Sequence, residues 1–93
     1  MKKLPIICPS CDHSLRVSEL SCTSCETKIS GAFKLPVLLQ LNTEEQNFIL
    51  QFVIKGGSLK KMAEQLNKSY PTVRNMLDDI IDKVEKLNIS DHE

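Results

Sequence analysis

The chain has 93 residues, of which 12 are Lys or Arg and 12 are Asp or Glu, so its formal net charge is zero. This length suggests one compact unit or two very small ones. The balanced charge excludes the global basic field of many nucleic-acid-binding proteins, so any such binding must come from a local patch. No apolar run approaches the roughly 20 residues of a membrane-spanning helix, and we expect a cytoplasmic protein.

Four cysteines stand in two pairs near the N-terminus: Cys8, Cys11, Cys22 and Cys25. Two residues separate the thiols of each pair, so a tight turn can direct both sulfurs at one ion, and two such pairs complete a closed tetrahedral Zn²⁺ shell. Thiols in a small cytosolic chain favour metal binding over disulfides. The spacing leaves open two disulfides, an iron site with the same thiolates, or a redox thiol pair. His13 is more typical of an exposed hairpin residue than of a ligand.

The segment around the cysteines, residues 1–34, is typical of a zinc ribbon. Its apolar positions fit two short antiparallel strands: Leu15, Val17, Leu20, Ile29, Ala32 and Phe33. Because the four-thiolate shell has no open position, we expect a structural metal that supports folding. Residues 35–42 form an apolar connector, in which Pro36 can open one helical turn. We expect this connector to pack on the helical part, and an exposed partner-binding strip is the alternative.

Residues 43–90 have the apolar periodicity of three helices. For the first helix, Thr43 is predicted to be the N-cap, with Gln46 at the third helical position completing a capping box. The pair Gly56 and Gly57 is predicted to end this helix. The sequence therefore predicts a helix that precedes two further helices.

The second and third helices are predicted to be joined by a very short turn. Ser58 is a good N-cap for the second helix, and Asn67 can adopt the left-handed conformation that a tight helix end needs. Ser69 offers a second N-cap, for a helix at residues 70–87. Two helices with a small residue, Ala63, where they cross describe a helix-turn-helix.

This segment resembles the helix-turn-helix of bacterial transcription regulators and of the promoter-reading domain of sigma factors. Ala63 matches the small close-contact residue of that motif, and residues 69–74 resemble the start of its recognition helix. The inward apolar positions of the motif are matched by Met62, Leu66, Val73 and Met76. With the cysteine pairs, the chain resembles a family of small bacterial proteins that have an N-terminal zinc ribbon and a C-terminal sigma-factor-like helix-turn-helix. The implied fold is mostly α with a small β zinc ribbon.

The resemblance implies a sequence-specific DNA-binding transcription regulator that reads the major groove of double-stranded DNA with the start of the helix at 70–87. The side chains suit this role, because Arg74 can bind guanine through two hydrogen bonds and Asn75 can bind adenine. Lysines near the start of the motif and at its turn suit backbone phosphates. The predicted DNA-binding residues are Lys60, Lys61, Lys68, Ser69, Tyr70, Thr72, Arg74 and Asn75.

Two other function classes stay open. A protein-interaction module acting on RNA polymerase or another transcription protein, without direct DNA readout, is favoured by the zero net charge. A redox or metal sensor that uses the cysteines is the other. The sequence has no visible catalytic constellation, so we do not expect an enzyme.

The C-terminal helix offers a surface for a homodimer. A dimer would double the number of phosphate contacts, on which affinity for DNA depends. Near-heptad spacing predicts the interface residues: Leu77, Ile80, Ile81, Val84 and Leu87. Packing of the same stripe within one chain is the alternative.

Overall fold

The computed structural model describes residues 3–91, so Met1, Lys2, His92 and Glu93 lie outside the described residues. The chain divides into two compact units between Gln40 and Leu41, which lies within the predicted connector. Among the described residues, no helix combines the length and the apolar character that crossing a membrane requires.

The N-terminal unit contains a two-stranded antiparallel hairpin. Its strands are β1 (Val17–Ser21) and β2 (Lys28–Phe33), and β1 has an irregularity near its start. Leu20 lies opposite Ile29, yet these side chains remain 53% and 56% exposed. The strands confirm the predicted ribbon hairpin, but they bury little apolar surface of their own.

The segment after the hairpin supplies the apolar burial of this unit. Leu35 is the one buried side chain among residues 3–40, and its carbonyl accepts a hydrogen bond from Gln40 Nε2 at 2.6 Å. The predicted turn after Pro36 is present as a short 3₁₀ helix, Val37–Gln40, in which the Leu39 N–H donates to the Pro36 carbonyl at 2.9 Å. One buried leucine is a small core for a unit of this length.

The C-terminal unit consists of three helices: α1 (Thr43–Ile54), α2 (Leu59–Leu66) and α3 (Tyr70–Asp91). Gly56 and Gly57 end α1 as predicted, because both have positive φ, 67° and 79°. The Gly57 N–H donates to the carbonyl of Phe52 at 2.9 Å. The third helix continues beyond its predicted end at residue 87.

The N-cap of α1 is Asn42, and the prediction of Thr43 was wrong by one residue. The Asn42 side chain accepts a hydrogen bond from the Glu45 N–H at 2.8 Å, and the Asn42 N–H donates to Glu45 Oε1 at 2.9 Å. A capping box is therefore present, but it uses Glu45 in place of Gln46. Asparagine is at least as good a cap as threonine, and an ionised carboxylate is a stronger acceptor than an amide.

Glu45 also joins α1 to α3. Its Oε1 lies 2.7 Å from Lys83 Nζ. Burial of Glu45 raises its pKa. The hydrogen bonds from Lys83 and from the Asn42 N–H, together with the charge of Lys83, outweigh this effect, so the pKa lies below its ordinary value. One carboxylate thus caps α1 and attaches the middle of α3 to it.

Six buried side chains form the core where the three helices meet: Leu41, Phe48, Leu59, Met62, Val73 and Ile80. The predicted inward positions of the helix-turn-helix agree with this core, because Met62 and Val73 belong to it and Leu66 and Met76 pack against it. The rings of Phe48 and Phe52 stack at a centroid distance of 6.3 Å. These contacts fix the crossing of α2 and α3.

The stripe on α3 that was predicted to form a dimer interface lies largely in this core. Ile80 is buried, and Leu77, Val84 and Leu87 pack against the same cluster. Ile81 is the exposed member, at 41%. Packing within one chain, the alternative interpretation of the stripe, therefore accounts for part of its burial, while Leu77, Val84 and Leu87 stay partly exposed. The homodimer itself stays a prediction, for which Ile81 is the available contact.

Candidate metal centre and nucleic-acid interface

The first cysteine pair lies on a tight turn held by two backbone hydrogen bonds and one contact between a backbone N–H and a sulfur. The Cys8 N–H donates to the His13 carbonyl and the Asp12 N–H donates to the Cys8 carbonyl, both at 2.9 Å. Asp12 has a φ of 62°, the left-handed conformation that reverses the chain. The Ser10 N–H points at Cys8 Sγ, with N and S 3.4 Å apart. The turn therefore presents a sulfur that already has an amide donor.

The second cysteine pair repeats this turn fourteen residues later. The Cys22 N–H donates to the Thr27 carbonyl at 2.8 Å, and the Glu26 N–H donates to the Cys22 carbonyl at 3.1 Å. Glu26 has a φ of 64°, and the Ser24 N–H lies 3.4 Å from Cys22 Sγ. The two turns therefore share the same two backbone hydrogen bonds, the same amide–sulfur contact and the same left-handed residue after the second cysteine.

This equivalence could have been found in the sequence. Residues 8–12 read Cys-Pro-Ser-Cys-Asp and residues 22–26 read Cys-Thr-Ser-Cys-Glu, so serine and an acidic residue recur at matching positions. Each serine supplies the amide that faces the first sulfur of its turn, and each acidic residue takes the left-handed position. The repeated serine and acidic residue thus indicate that the two turns have the same conformation. The spacing of the cysteines alone does not indicate this.

Both turns lower thiol pKa values. The pKa of Cys8 is lowered by the N–H of Cys11, then by the N–H of Ser10 and by the Cys11 thiol. The pKa of Cys25 is lowered by the Thr27 hydroxyl, then by the Thr27 backbone and the Cys22 thiol. Because the thiolate is the form that binds metal, these donors favour the ligating state.

The donor set fits Zn²⁺. The residues that would hold the ion are the four free cysteines: Cys8, Cys11, Cys22 and Cys25. The structure brings the two thiols of each turn together as a close pair. Within residues 3–91, no three His, Cys, Asp or Glu side chains form one cluster. Zinc held by these four thiolates would have a full tetrahedral ligand set, which would stabilise the fold of this unit and leave no place for a catalytic water.

The hydroxyl of Thr27 gives the second turn an additional contact to sulfur. Its Oγ1 lies 3.0 Å from Cys25 Sγ. His13 occupies the equivalent position in the first turn, but its Nδ1 lies 3.1 Å from the carbonyl oxygen of Cys11, not from a sulfur. Sequence reasoning missed Thr27, because spacing arguments address ligands and not the residues that orient them.

Replacing Thr27 with valine is expected to weaken zinc binding by about 10- to 100-fold, the usual effect of losing a residue that supports a metal ligand. Valine keeps the shape of threonine but cannot donate a hydrogen bond to the Cys25 thiolate. Competition with a chromogenic chelator measures the affinity, and His13→Ala serves as the matched control that should leave it unchanged. Equal zinc affinity in Thr27→Val and the wild type would contradict a supporting role.

The turn between α2 and α3 has the predicted conformation. Ser58 Oγ accepts the Lys61 N–H at 3.2 Å and caps α2, while Asn67 ends it in the left-handed conformation, φ 56° and ψ 45°. The Lys68 N–H then donates to the Ala63 carbonyl at 3.0 Å. These bonds hold the two helices of the motif at a short, closed turn.

The predicted DNA-binding side chains are all exposed: Lys60, Lys61, Lys68, Ser69, Tyr70, Thr72, Arg74 and Asn75. Two of them also organise the start of α3. Ser69 Oγ accepts the Thr72 N–H at 3.3 Å and lies 2.8 Å from Thr72 Oγ1. Arg74 pairs with a carboxylate one turn further along the same helix, and its guanidinium lies 3.3 Å from Asp78 Oδ1. The opposite charges four residues apart are the sequence signal for that pair, which the sequence analysis missed.

These geometries define a class of protein: a zinc ribbon followed by a helix-turn-helix domain. The chain belongs to the DUF2089 family. Residues 41–87 match the family model described as "Domain of unknown function (DUF2089)-HTH", and residues 8–38 match the one described as "DUF2089 zinc ribbon". These matches confirm the resemblance and the assignment of zinc as the bound metal.

The helix-turn-helix match points to nucleic acid as the class of partner and to a nucleic-acid-binding regulator. Comparisons with the curated proteins and with the solved structures find no match.

Proposed function

We propose that this protein is a sequence-specific DNA-binding transcription regulator, and that the start of α3 enters the major groove. The observation that carries the proposal is the contrast between the two sides of this helix start. Val73 is fully buried in the core, while Thr72, Arg74 and Asn75 around it are exposed. The core therefore fixes the helix, and polar side chains suited to base edges project from it.

Basic side chains lie on the helix before this helix start and in the turn that leads into it. Lys60 and Lys61 lie in the first turn of α2 and Lys68 lies in the turn that follows it, and all three are exposed. Such a placement suits contacts to the phosphates on either side of a groove. The first carboxylate of α3 is Asp78, and carboxylates are repelled by phosphates. The first turns of α3 therefore approach DNA, and its later part does not.

A non-enzymatic role is part of the proposal. Four thiolate ligands would fill the tetrahedral shell of a bound zinc ion, so the metal would have no position at which to activate water or substrate. The ribbon is proposed to act as a structural element of a cytoplasmic regulator.

Selection from random duplex DNA tests this function. The zinc-loaded full chain is incubated with the duplex pool, and bound molecules are enriched and sequenced. We expect one motif to be enriched and its binding to weaken with salt, since phosphate contacts release counterions. Paired half-sites would support the homodimer. Absence of any enriched motif would contradict the proposal. It would favour the second candidate, a module acting on RNA polymerase or another transcription protein, which the zero net charge supports.

Arg74→Ala is expected to cost about 1–3 kcal/mol on the selected duplex and to relax preference at one base pair, because a bidentate contact to guanine is lost. Binding to substituted duplexes, measured by fluorescence anisotropy, gives the preference at each position. Lys86→Ala removes one charge from the same helix, where Lys86 pairs with Asp82, and should leave the preference unchanged. A uniform weakening across all duplexes would show that Arg74 contacts only the backbone.

A further inference from the structure

The C-terminal unit has a groove that the DNA-binding proposal does not use. It consists of two adjoining hollows of about 240 Å³ and 190 Å³ beside α1, which share Glu44, Phe48 and Met76. We define the acidic groove by six of its lining residues: Phe48, Met62, Met76 and Ile80 on its floor, and Glu44 and Asp79 on its rim. None of these six is among the predicted DNA-binding residues.

The floor of the acidic groove is apolar and partly adaptable. Phe48, Met62 and Ile80 are buried members of the core, so the base of the groove is fixed by the fold. Met76 packs against the same cluster and is only half-buried. Methionine is unbranched and polarizable, so it can fit apolar side chains of different shapes. The floor is therefore suited to bulky apolar groups from another molecule.

The charges around the acidic groove have one sign. The charged side chains that line the two hollows are Glu44, Glu45 and Asp79. Glu45 already pairs with Lys83, whereas Glu44 and Asp79 have no ion-pair partner within residues 3–91. Two exposed carboxylates beside an apolar floor repel phosphate and attract cations. Nucleic acid is thus disfavoured as the occupant of this surface.

We propose that the acidic groove binds an amphipathic helix of a partner protein, which carries one row of apolar residues flanked by Lys or Arg. A helix of this kind places residues at i, i+3, i+4 and i+7 into an apolar groove. Its apolar row fills the space over Phe48 and Met76, and its basic residues pair with Glu44 and Asp79. The proposal is independent of DNA binding, because it depends on other residues.

A charge-reversal selection tests this proposal. A displayed library of 14-residue helical peptides keeps leucines at i, i+3, i+4 and i+7 and randomises the flanking positions among Lys, Glu, Gln and Ser. The zinc-loaded full chain is compared with the variant Glu44→Lys/Asp79→Lys. We expect Lys to be enriched by the wild type and Glu by the variant, and the best wild-type peptide to bind the variant about tenfold more weakly. Glu85→Lys, outside the groove, should leave that affinity unchanged.

The fold of the charge-reversed variant and the enriched peptides decide whether the acidic groove binds a basic amphipathic helix. Circular dichroism establishes that the charge-reversed variant keeps its helices, since both replaced carboxylates are exposed. Identical peptides enriched by both proteins, or no enrichment by the wild type, would overturn the proposal. A Lys-rich peptide that still binds after its leucines are replaced by serine would also overturn it, because attraction by charge alone needs no groove.

Discussion

Removal of zinc is expected to unfold the N-terminal unit and to leave the helices of the C-terminal unit folded. Leu35 is the single buried side chain among residues 3–40, and the cross-strand pair of Leu20 and Ile29 is more than half exposed. A unit with so small a core depends on its metal, and structural zinc supplies about 10–16 kcal/mol of apparent free energy. This is the largest effect that we predict for any single change.

Amide hydrogen exchange with and without a chelator measures this effect. The amides of β1 and β2 are expected to lose protection when zinc is removed, while those of α1–α3 keep it, since the helical unit has its own buried cluster. Cys22→Ser should behave like the chelated protein. Ser24→Ala changes the same turn, keeps the amide that faces Cys22 Sγ, and should retain zinc. Protected strands in the chelated protein would contradict this account.

Met62→Ala is expected to destabilise the C-terminal unit by about 2–5 kcal/mol, the cost of a cavity at a buried large-to-small substitution. Met62 is 1% exposed and belongs to the same cluster as Val73 and Phe48. A domain of this size has only a few kcal/mol of stability at roughly 0.05–0.15 kcal/mol per residue. The substitution therefore removes most of the margin and lowers helix content at moderate temperature.

Urea unfolding followed by helical circular dichroism gives the change in the free energy of unfolding. Val53→Ala is the matched control, because Val53 lies on α1 but is 67% exposed, and surface changes usually stay within about 0.5 kcal/mol. A loss below about 1 kcal/mol for Met62→Ala would be at odds with the packing described here.

Features that depend on neighbouring residues could be predicted from the sequence. Ser58 and Ser69 cap α2 and α3, and Asn67 takes the left-handed conformation. Each follows from the local chemistry of one side chain and the nearby backbone. The error at α1 has the same origin, since Asn42 and Thr43 are adjacent and both can cap. Choosing between them needs the position of Glu45, which Lys83 of a distant helix also fixes.

Features that depend on tertiary packing could not be predicted in this way. The apolar stripe of α3 has the same periodicity whether it pairs two chains or packs within one, and only the fold shows that Ile80 is buried while Ile81 is exposed. The contact of Thr27 with Cys25 likewise requires the closed turn. The zero net charge conceals a separation of charges, with Lys68 beside the helix start and Glu44 on the rim of the acidic groove.

The most direct test of DNA readout by α3 is the ratio of two dissociation constants. The zinc-loaded full chain is titrated at physiological salt against the selected duplex and against a duplex of shuffled sequence. A DNA-reading regulator is expected to prefer the selected duplex by roughly 10³-fold or more. A ratio near one, with both affinities falling equally as salt rises, would show binding by charge alone and would contradict sequence-specific readout.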